Sequence, residues 1–352
     1  MRPLAVLAAA FLTGAAPPPA SQLQRDADRL VAQTEVPAVI VLVERDGRRS
    51  VVAAGLADVV HRRKARPDDR FWVGSVTKSF VATVVMQLVA EGRLRLDDTV
   101  QKLLPGRIRE GRRIRLRHLL SHTSGIPDYM RLEPWSSAVA RDPRTVISPR
   151  RLVSSAARLP LEFRPGSRAS YSNTNTLVLA EILERRTGRR LGVLLRDRIF
   201  RPLGLTATAY ESGRRDLRDQ MHGYDVSSSP PSDVSRHGLG GPWADGAIVS
   251  NARDLAVFFG ALLRGRLVPR RFVEQMATIV PGSHGEGMGL YRLGSPCGRW
   301  FYGHTGGTPG YVTFAAGSRD ARHLVVFAVN GVNPYAMEAL VGRYLDEVLC
   351  RR

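Results

Sequence analysis

Residues 38–58, AVIVLVERDGRRSVVAAGLAD, constrain the fold more than any other stretch of this chain. Two β-branched runs flank Asp46-Gly47, a dipeptide suited to the positive φ angles of a two-residue hairpin turn. Their partners are expected far away. Strand patterning is sparse until the C-terminal quarter, where runs at 287–293, 299–303, 310–316 and 323–329 are spaced like an antiparallel meander. A short extended run at 70–73 lies between. Helical periodicity occupies 22–35, before Pro37, and 335–349 near the end. In the middle, RHLLSHTSG, TNTLVLAEILERRTG and ARDLAVFFGALLRG each finish at or near a glycine. Residues 224–242 read as a turn-rich surface loop. Strands at both ends with helices between them predict an α+β fold, one antiparallel sheet built from both chain ends and flanked by the terminal helices. A mainly helical lobe, about 76–285, sits beside an α/β lobe of about 21–75 and 286–352. No linker or repeat divides residues 21–352, which are expected to form a single domain.

The first twenty residues, MRPLAVLAAAFLTGAAPPPA, have the layout of a secretory signal peptide: Arg2, an apolar run from Leu4 to Leu12, then small residues and prolines. The run is too short to span a bilayer; a buried N-terminal helix is the alternative. Export permits a disulfide between the two cysteines, Cys297 and Cys350, with two separate buried thiols as the other reading. The formal charge is +20. It is spread along the chain without a zinc-finger, basic-zipper or RNA-binding signature, which argues against a specific nucleic-acid partner; most of it reads as solvated surface, with attraction to anionic wall polymers as the functional alternative. His61, His222, His237 and His323 show no ligand spacing, so neither metal nor cofactor is expected, and a monomer is.

The chain has three lysines, Lys64, Lys78 and Lys102, against 52 Lys and Arg together. Lys78 lies in FWVGSVTKSF at the head of a helix apolar on most faces, SVTKSFVATVVMQLVAEG, with Gly92 just past its end. Ser75 is three residues earlier, nearly one turn, so the two side chains project on the same side. A serine hydroxyl is inert until a base activates it. A lysine under an apolar roof can lose its proton, which arginine does not, and the helix N-terminus favours negative charge at Ser75. ASYSNTN offers Tyr171, a phenol able to shuttle a proton, and Asn173, a carboxamide for a substrate amide and the lysine. YGHTGGTPGYV offers His304, Thr305, Gly306 and Gly307 between two extended runs. Its glycines would let a substrate backbone reach the strand edge, and the amides of Gly307 and Ser75 could together face an oxyanion. Chance produces the three motifs together on the order of once in ten thousand sequences of this composition.

These motifs resemble the penicillin-recognising serine hydrolases: class C β-lactamases, DD-peptidases and related esterases, with their Ser-x-x-Lys signature. FWVGSVTKSF, LLSHTSGIPDY, SYSNTNTLVLA, PWADGAIVSNARDL, YGHTGGTPGY and the late cysteine pair are most similar to the secreted serine D-alanyl-D-alanine carboxypeptidases. The resemblance runs from about residue 22 to the C-terminus. It implies a site between the lobes, Ser75 as the acylated nucleophile and Lys78 as its activator. It further implies Tyr171 as general base and later acid, Asn173 on the substrate amide, and His304 where many relatives carry lysine. Ser75 and Gly307 would supply the oxyanion amides, Thr305 and Gly306 would line the substrate, and Trp243 would form an aromatic wall. The substrates implied are peptidoglycan peptides, with small esters or β-lactams as alternatives. Two positions depart from the pattern. Gly307 replaces a hydroxyl residue, and Tyr291 stands where an arginine is expected, with Arg292 next to it.

The remaining candidates have structural readings. His122 is expected to be a hydrogen-bonded turn or helix-end histidine, Asp97-Asp98 a turn or cap, and Trp72 and Phe80 core. If His304 carried charge, acylation would fall as pH rises through its titration, near 6.5 for a free imidazole. Two function classes follow: a secreted serine hydrolase working through an acyl-enzyme, and a noncatalytic binder of wall peptide or β-lactam.

Overall fold

A computed structural model describes residues 19–211, 220–227, 229–237, 243–295 and 298–332. In chain order, α1 (Ala20–Gln33) leads into the hairpin β1 (Ala38–Arg45) and β2 (Arg48–Asp58), followed by β3 (Arg63–Lys64) and β4 (Phe71–Trp72). One 3-10 turn, Gly74–Val76, runs directly into α2 (Thr77–Ala90). The middle contributes α3 (Pro149–Ala157), α4 (Asn173–Thr187), α5 (Leu191–Leu195), β5 (Ala209–Tyr210), β6 (Ile248–Ser250) and α6 (Ala252–Leu263), among other elements. Four strands follow, β7 (Tyr291–Gly294), β8 (Trp300–Thr308), β9 (Tyr311–Ser318) and β10 (His323–Val329), before the short last described strand Gly331–Val332.

The main sheet has seven strands in the order β3-β2-β1-β10-β9-β8-β7. Every pairing is antiparallel, with Val41 opposite Phe327 across the join between the two chain ends. Asp46 and Gly47 both take positive φ at the hairpin turn, 51° and 79°. β1 is buried at all eight positions because both faces of the sheet are covered. On one face Leu23, Ala27 and Leu30 of α1 pack on Val39, Val41, Phe314 and Phe327. On the other, Ile40, Leu42 and Val326 share a core with Phe258, Phe259 and Leu262 of α6 and with α2. Eleven of the fourteen residues of α2 are buried, which explains its apolar residues on most faces. Gly92 follows in the left-handed conformation, φ 71°, as its C-terminal stop.

The expected sheet from both chain ends and the helical middle are thus present, with differences in detail. The first helix begins two residues before the expected start, at Ala20. The extended run at 70–73 does not join the main sheet; β4 pairs with β6, which also pairs with β5, in a small second sheet. The surface loop contains two short strands, Tyr224–Asp225 and Ser232–Asp233. β8 runs on through His304 to Thr308, so the HTGG stretch is itself strand rather than a link between strands. Residues 1–18 of the expected leader, the helix expected at 335–349, and both Cys297 and Cys350 lie outside the described residues. No described helix is long and apolar enough to cross a membrane.

Candidate active site

The site is assembled where the Gly74–Val76 turn meets the edge of β8 at backbone contact. A Cβ on Gly306 would lie 2.0 Å from the Val73 carbonyl oxygen and 3.2 Å from the Ser75 nitrogen. A Cβ on Gly74, whose φ is +53°, would lie 2.8 Å from both the nitrogen and the oxygen of Gly307. Glycine at 74 and 306 is therefore required by the approach of one backbone to another. The consequence is that the Ser75 and Gly307 backbones border the same small space at the start of α2.

Lys78 is 3% exposed. Its Nζ donates to Ser75 Oγ at 2.9 Å, to Asn173 Oδ1 at 2.8 Å and to the Asp245 backbone oxygen at 3.0 Å. Burial lowers its pKa to about 8, with the charges of Asp245 and Asp128 opposing the fall. The Tyr171 hydroxyl donates to Ser75 Oγ at 2.8 Å, and its ring lies 5.0 Å below the Lys78 Nζ. Burial pushes the Tyr171 phenol well above its ordinary range; the Ser75 hydrogen bond opposes this, while Asp245, Asp128 and Glu286 add to it. The resting site thus holds a neutral phenol, not the readily ionised one expected beside a lysine.

His304 is 2% exposed. Its Nδ1 lies 2.5 Å from the Thr305 carbonyl oxygen, which can only accept, so Nδ1 carries the proton. Burial and Lys78 hold its pKa down to about 3. His304 is therefore a neutral ring with a bare Nε2, and the expected charge-carrying role with an alkaline decline near 6.5 does not fit. The edge of Tyr291 meets it at 4.8 Å between centroids, 77° between planes.

Asn173 is also more committed than expected. Its Oδ1 accepts from Lys78, and its Nδ2 donates to Asp128 Oδ2 at 3.0 Å and contacts Met130 Sδ at 3.3 Å. The bond to Lys78 is the one expected, and Asn173 also links the lysine to a buried carboxylate. Gly306 is consumed by the contact with Val73, whereas nothing lies within 4 Å of a Cβ on Gly307. Thr305 is exposed beside His304. The Trp243 Nε1 donates to the Ile147 oxygen at 2.8 Å. Its ring lines a cavity of about 580 Å³ with Leu177, Ala180, Leu191 and Tyr210, toward the later turns of α4.

Three members of the network carried no role in the sequence reading: Asp128, Tyr129 and Asp245. The Tyr129 hydroxyl donates to Asp245 Oδ2 at 2.7 Å, and burial raises the Asp245 pKa. The available signal was an aspartate isolated among apolar residues, in Ile126-Pro127-Asp128-Tyr129 and again in Trp243-Ala244-Asp245-Gly246. A buried lysine needs such partners. His122 proves to be a turn residue, at φ 53°, as expected. It also stacks on the Tyr171 ring at 4.4 Å and takes the Ser172 N–H on Nδ1 at 3.3 Å. Among the described residues no group of three or more His, Cys, Asp or Glu could hold a metal ion.

Comparison with known proteins agrees with this geometry. The Beta-lactamase family profile matches residues 23–349. Penicillin-binding protein 4* of Bacillus subtilis (strain 168) is 28% identical, over 84% of this chain and 68% of its own length. A D-aminopeptidase of Brucella anthropi is 31% identical over 78% of this chain and 52% of its own. The chain thus spans about half to two thirds of these curated relatives. Among solved structures, a D-stereospecific amidohydrolase from Streptomyces sp. is 34% identical, with a TM-score of 0.78 over 89% of this chain and 95% of that one. The chain belongs to the Beta-lactamase family, among the serine hydrolases of the penicillin-recognising group.

Proposed function

We propose that within this family the chain is an exported serine hydrolase that cleaves amides of D-configured amino acids or peptides through an acyl-enzyme on Ser75. One observation carries the reading: Ser75 Oγ sits 2.9 Å from Lys78 Nζ and 2.8 Å from the Tyr171 hydroxyl. With a pKa of about 8, Lys78 has an appreciable neutral fraction near neutrality and can take the Ser75 proton as the oxygen attacks the carbonyl. The amides of Ser75 and Gly307 receive the oxyanion. Tyr171, still protonated, delivers its proton to the leaving nitrogen, and the Lys78 ammonium restores it. Water then repeats the sequence on the ester. Relatives named as D-aminopeptidase and D-stereospecific amidohydrolase support the D-configured substrate.

The D-alanyl-D-alanine carboxypeptidase reading rests on the likeness to penicillin-binding proteins. It needs a cation for the substrate carboxylate. Tyr291 occupies the expected arginine position, and the Arg292 guanidinium lies over the Trp300 ring at 4.4 Å, which favours the amidase reading. Export rests on the leader-like first twenty residues, and the +20 charge would favour residence near anionic wall polymers.

The test is intact mass after benzylpenicillin, followed over time, together with turnover of D-alanine p-nitroanilide. A Ser75 adduct and amide turnover, both abolished in Ser75→Ala, are the expected result. Labelling that persists in Ser75→Ala overturns the nucleophile. An adduct with no amide or ester turnover identifies a noncatalytic binder.

A further inference from the structure

The cavity of about 580 Å³ beside Trp243 is separate from the Ser75 site: none of Ser75, Lys78, Tyr171 and His304 lines it. Its walls come from α3, α4, α5, β5 and the Trp243 segment, with Leu177, Leu191, Phe200, Tyr210 and Trp243 supplying the apolar surface. Two of these walls are held in place. The Trp243 indole is anchored by its N–H on the Ile147 carbonyl at 2.8 Å. The Tyr210 ring lies against the backbone of α5, where a Cβ on Gly192 would come within 2.9 Å of Tyr210 Cδ1. The volume falls in the ordinary range of small-molecule pockets, and it is far larger than the water-sized voids that packing leaves in a core.

The polar groups of the lining divide into committed and free. Arg107 grips Glu181 through Nε at 2.6 Å and Nη2 at 2.7 Å. Glu184 takes the Leu191 N–H on Oε1 at 2.9 Å. Arg196 closes on Asp197 at 2.8 Å. Arg150, in the first turn of α3, and Arg190, the residue before α5, line the same cavity. Both are exposed, and neither forms a salt bridge among the described residues. The Tyr210 hydroxyl has no hydrogen-bond partner among the described residues. Burial, together with the charges of Asp245 and Glu184, holds its phenol protonated, well above the ordinary range. The groups left to spare are therefore donors, two guanidiniums and a phenol, and three arginines face two glutamates around the lining.

We propose that this cavity is a second ligand site, independent of Ser75, that binds an arylalkyl carboxylate with its ring against Tyr210 and Trp243 and its carboxylate on Arg150 and Arg190. The apolar body gains from leaving water, and the aromatic walls suit a ring. A guanidinium pairs with a carboxylate through two parallel N–H donors, and the Tyr210 hydroxyl adds a third donor type. A ligand with an ammonium in the same place would meet the surplus positive charge. The site borders the catalytic network without entering it. Trp243 stands two residues before Asp245, whose carbonyl accepts from Lys78, and Leu177 lies one turn beyond Asn173 on α4.

The experiment is calorimetric titration of the full chain with 4-phenylbutyrate, 4-phenylbutan-1-ol and 4-phenylbutylamine, which share a body and differ in the polar end. The parent is expected to bind the acid about 10-fold or more tighter than the alcohol, and the amine more weakly than either. Arg150→Ala with Arg190→Ala should bring acid and alcohol to within about twofold. Both arginines are exposed, so this double variant is expected to keep its stability within about 1 kcal/mol. Ala180→Trp, which puts an indole into the cavity from α4, should weaken the acid about 10-fold or more. Urea midpoints of the variants are measured alongside. A parent without preference for the acid, a preference unchanged in the double arginine variant, or undiminished binding in a folded Ala180→Trp protein overturns the proposal. The arginine variant decides the matter even if Ala180→Trp does not fold.

Discussion

Lys78 answers a question of residue choice in a chain that writes almost every cation as arginine. A guanidinium would keep its proton in this apolar surrounding, whereas an ammonium yields it when desolvated. The balance is set by two opposed effects: burial lowers the pKa, and the charges of Asp245 and Asp128 raise it. If neutral Lys78 is the base, kcat/KM rises with pH and reaches half its limit near 8. Removing the Asp245 charge takes away a force that holds the proton on Lys78. Asp245→Asn should therefore move this acidic limb to lower pH while leaving the backbone carbonyl contact in place. The pH profile of both proteins on one uncharged ester is the measurement. An unmoved limb would separate Asp245 from the lysine's titration. No limb from His304 or His122 is expected between pH 5 and 8, because both rings are held neutral with pKa near 3.

At the scale of elements, the site depends on one strand lying against one turn. β8 reaches the Gly74–Val76 turn only because residues 74 and 306 lack a Cβ, and that approach brings the Gly307 amide to Ser75. Gly306→Ala would drive a methyl group into the Val73 carbonyl. The expected cost is about 1–3 kcal/mol of stability from overpacking and roughly a 10²-fold loss in acylation rate as the oxyanion donors separate. Gly307→Ala is the contrast, since its Cβ meets nothing within 4 Å; stability should change by less than about 0.5 kcal/mol. Urea unfolding and fluorophosphonate labelling rates of the two variants decide this. Equal behaviour would mean that the strand and turn are not in the contact described. A second element-level device is the stack of His122 on Tyr171, which holds the phenol ring in place.

At the scale of the molecule, the sheet and the helical region share one apolar core rather than meeting across a polar seam. Phe80 of α2 lies at its centre, stacked on Phe258 of α6 at 3.6 Å and edge-on to Phe200 at 5.9 Å. Because α2 also carries Lys78, core packing and site geometry are mechanically joined. Phe80→Ala should cost about 3–5 kcal/mol, read as a lower urea midpoint with one cooperative transition. Two separated transitions would show that the sheet and the helical region unfold independently, contrary to the shared core.

The pieces legible in the sequence were those set by local rules. Asp46-Gly47 dictates a hairpin, Ser75 and Lys78 share a helical face at a spacing of three, and Gly92 ends the helix, all from backbone geometry within a few residues. The strands at both chain ends required one sheet because their apolar faces had no other cover. Tertiary structure decided the rest, since it depends on which distant groups become neighbours. Asn173 became a link between Lys78 and Asp128, and the Trp243 indole N–H found the Ile147 carbonyl. The extended run at 70–73 paired with β6 rather than with the hairpin. Protonation states were decided there as well. Tyr171 and His304 are neutral because burial removes the water that would stabilise their charged forms, and no short stretch of sequence encodes how deeply a side chain will be buried.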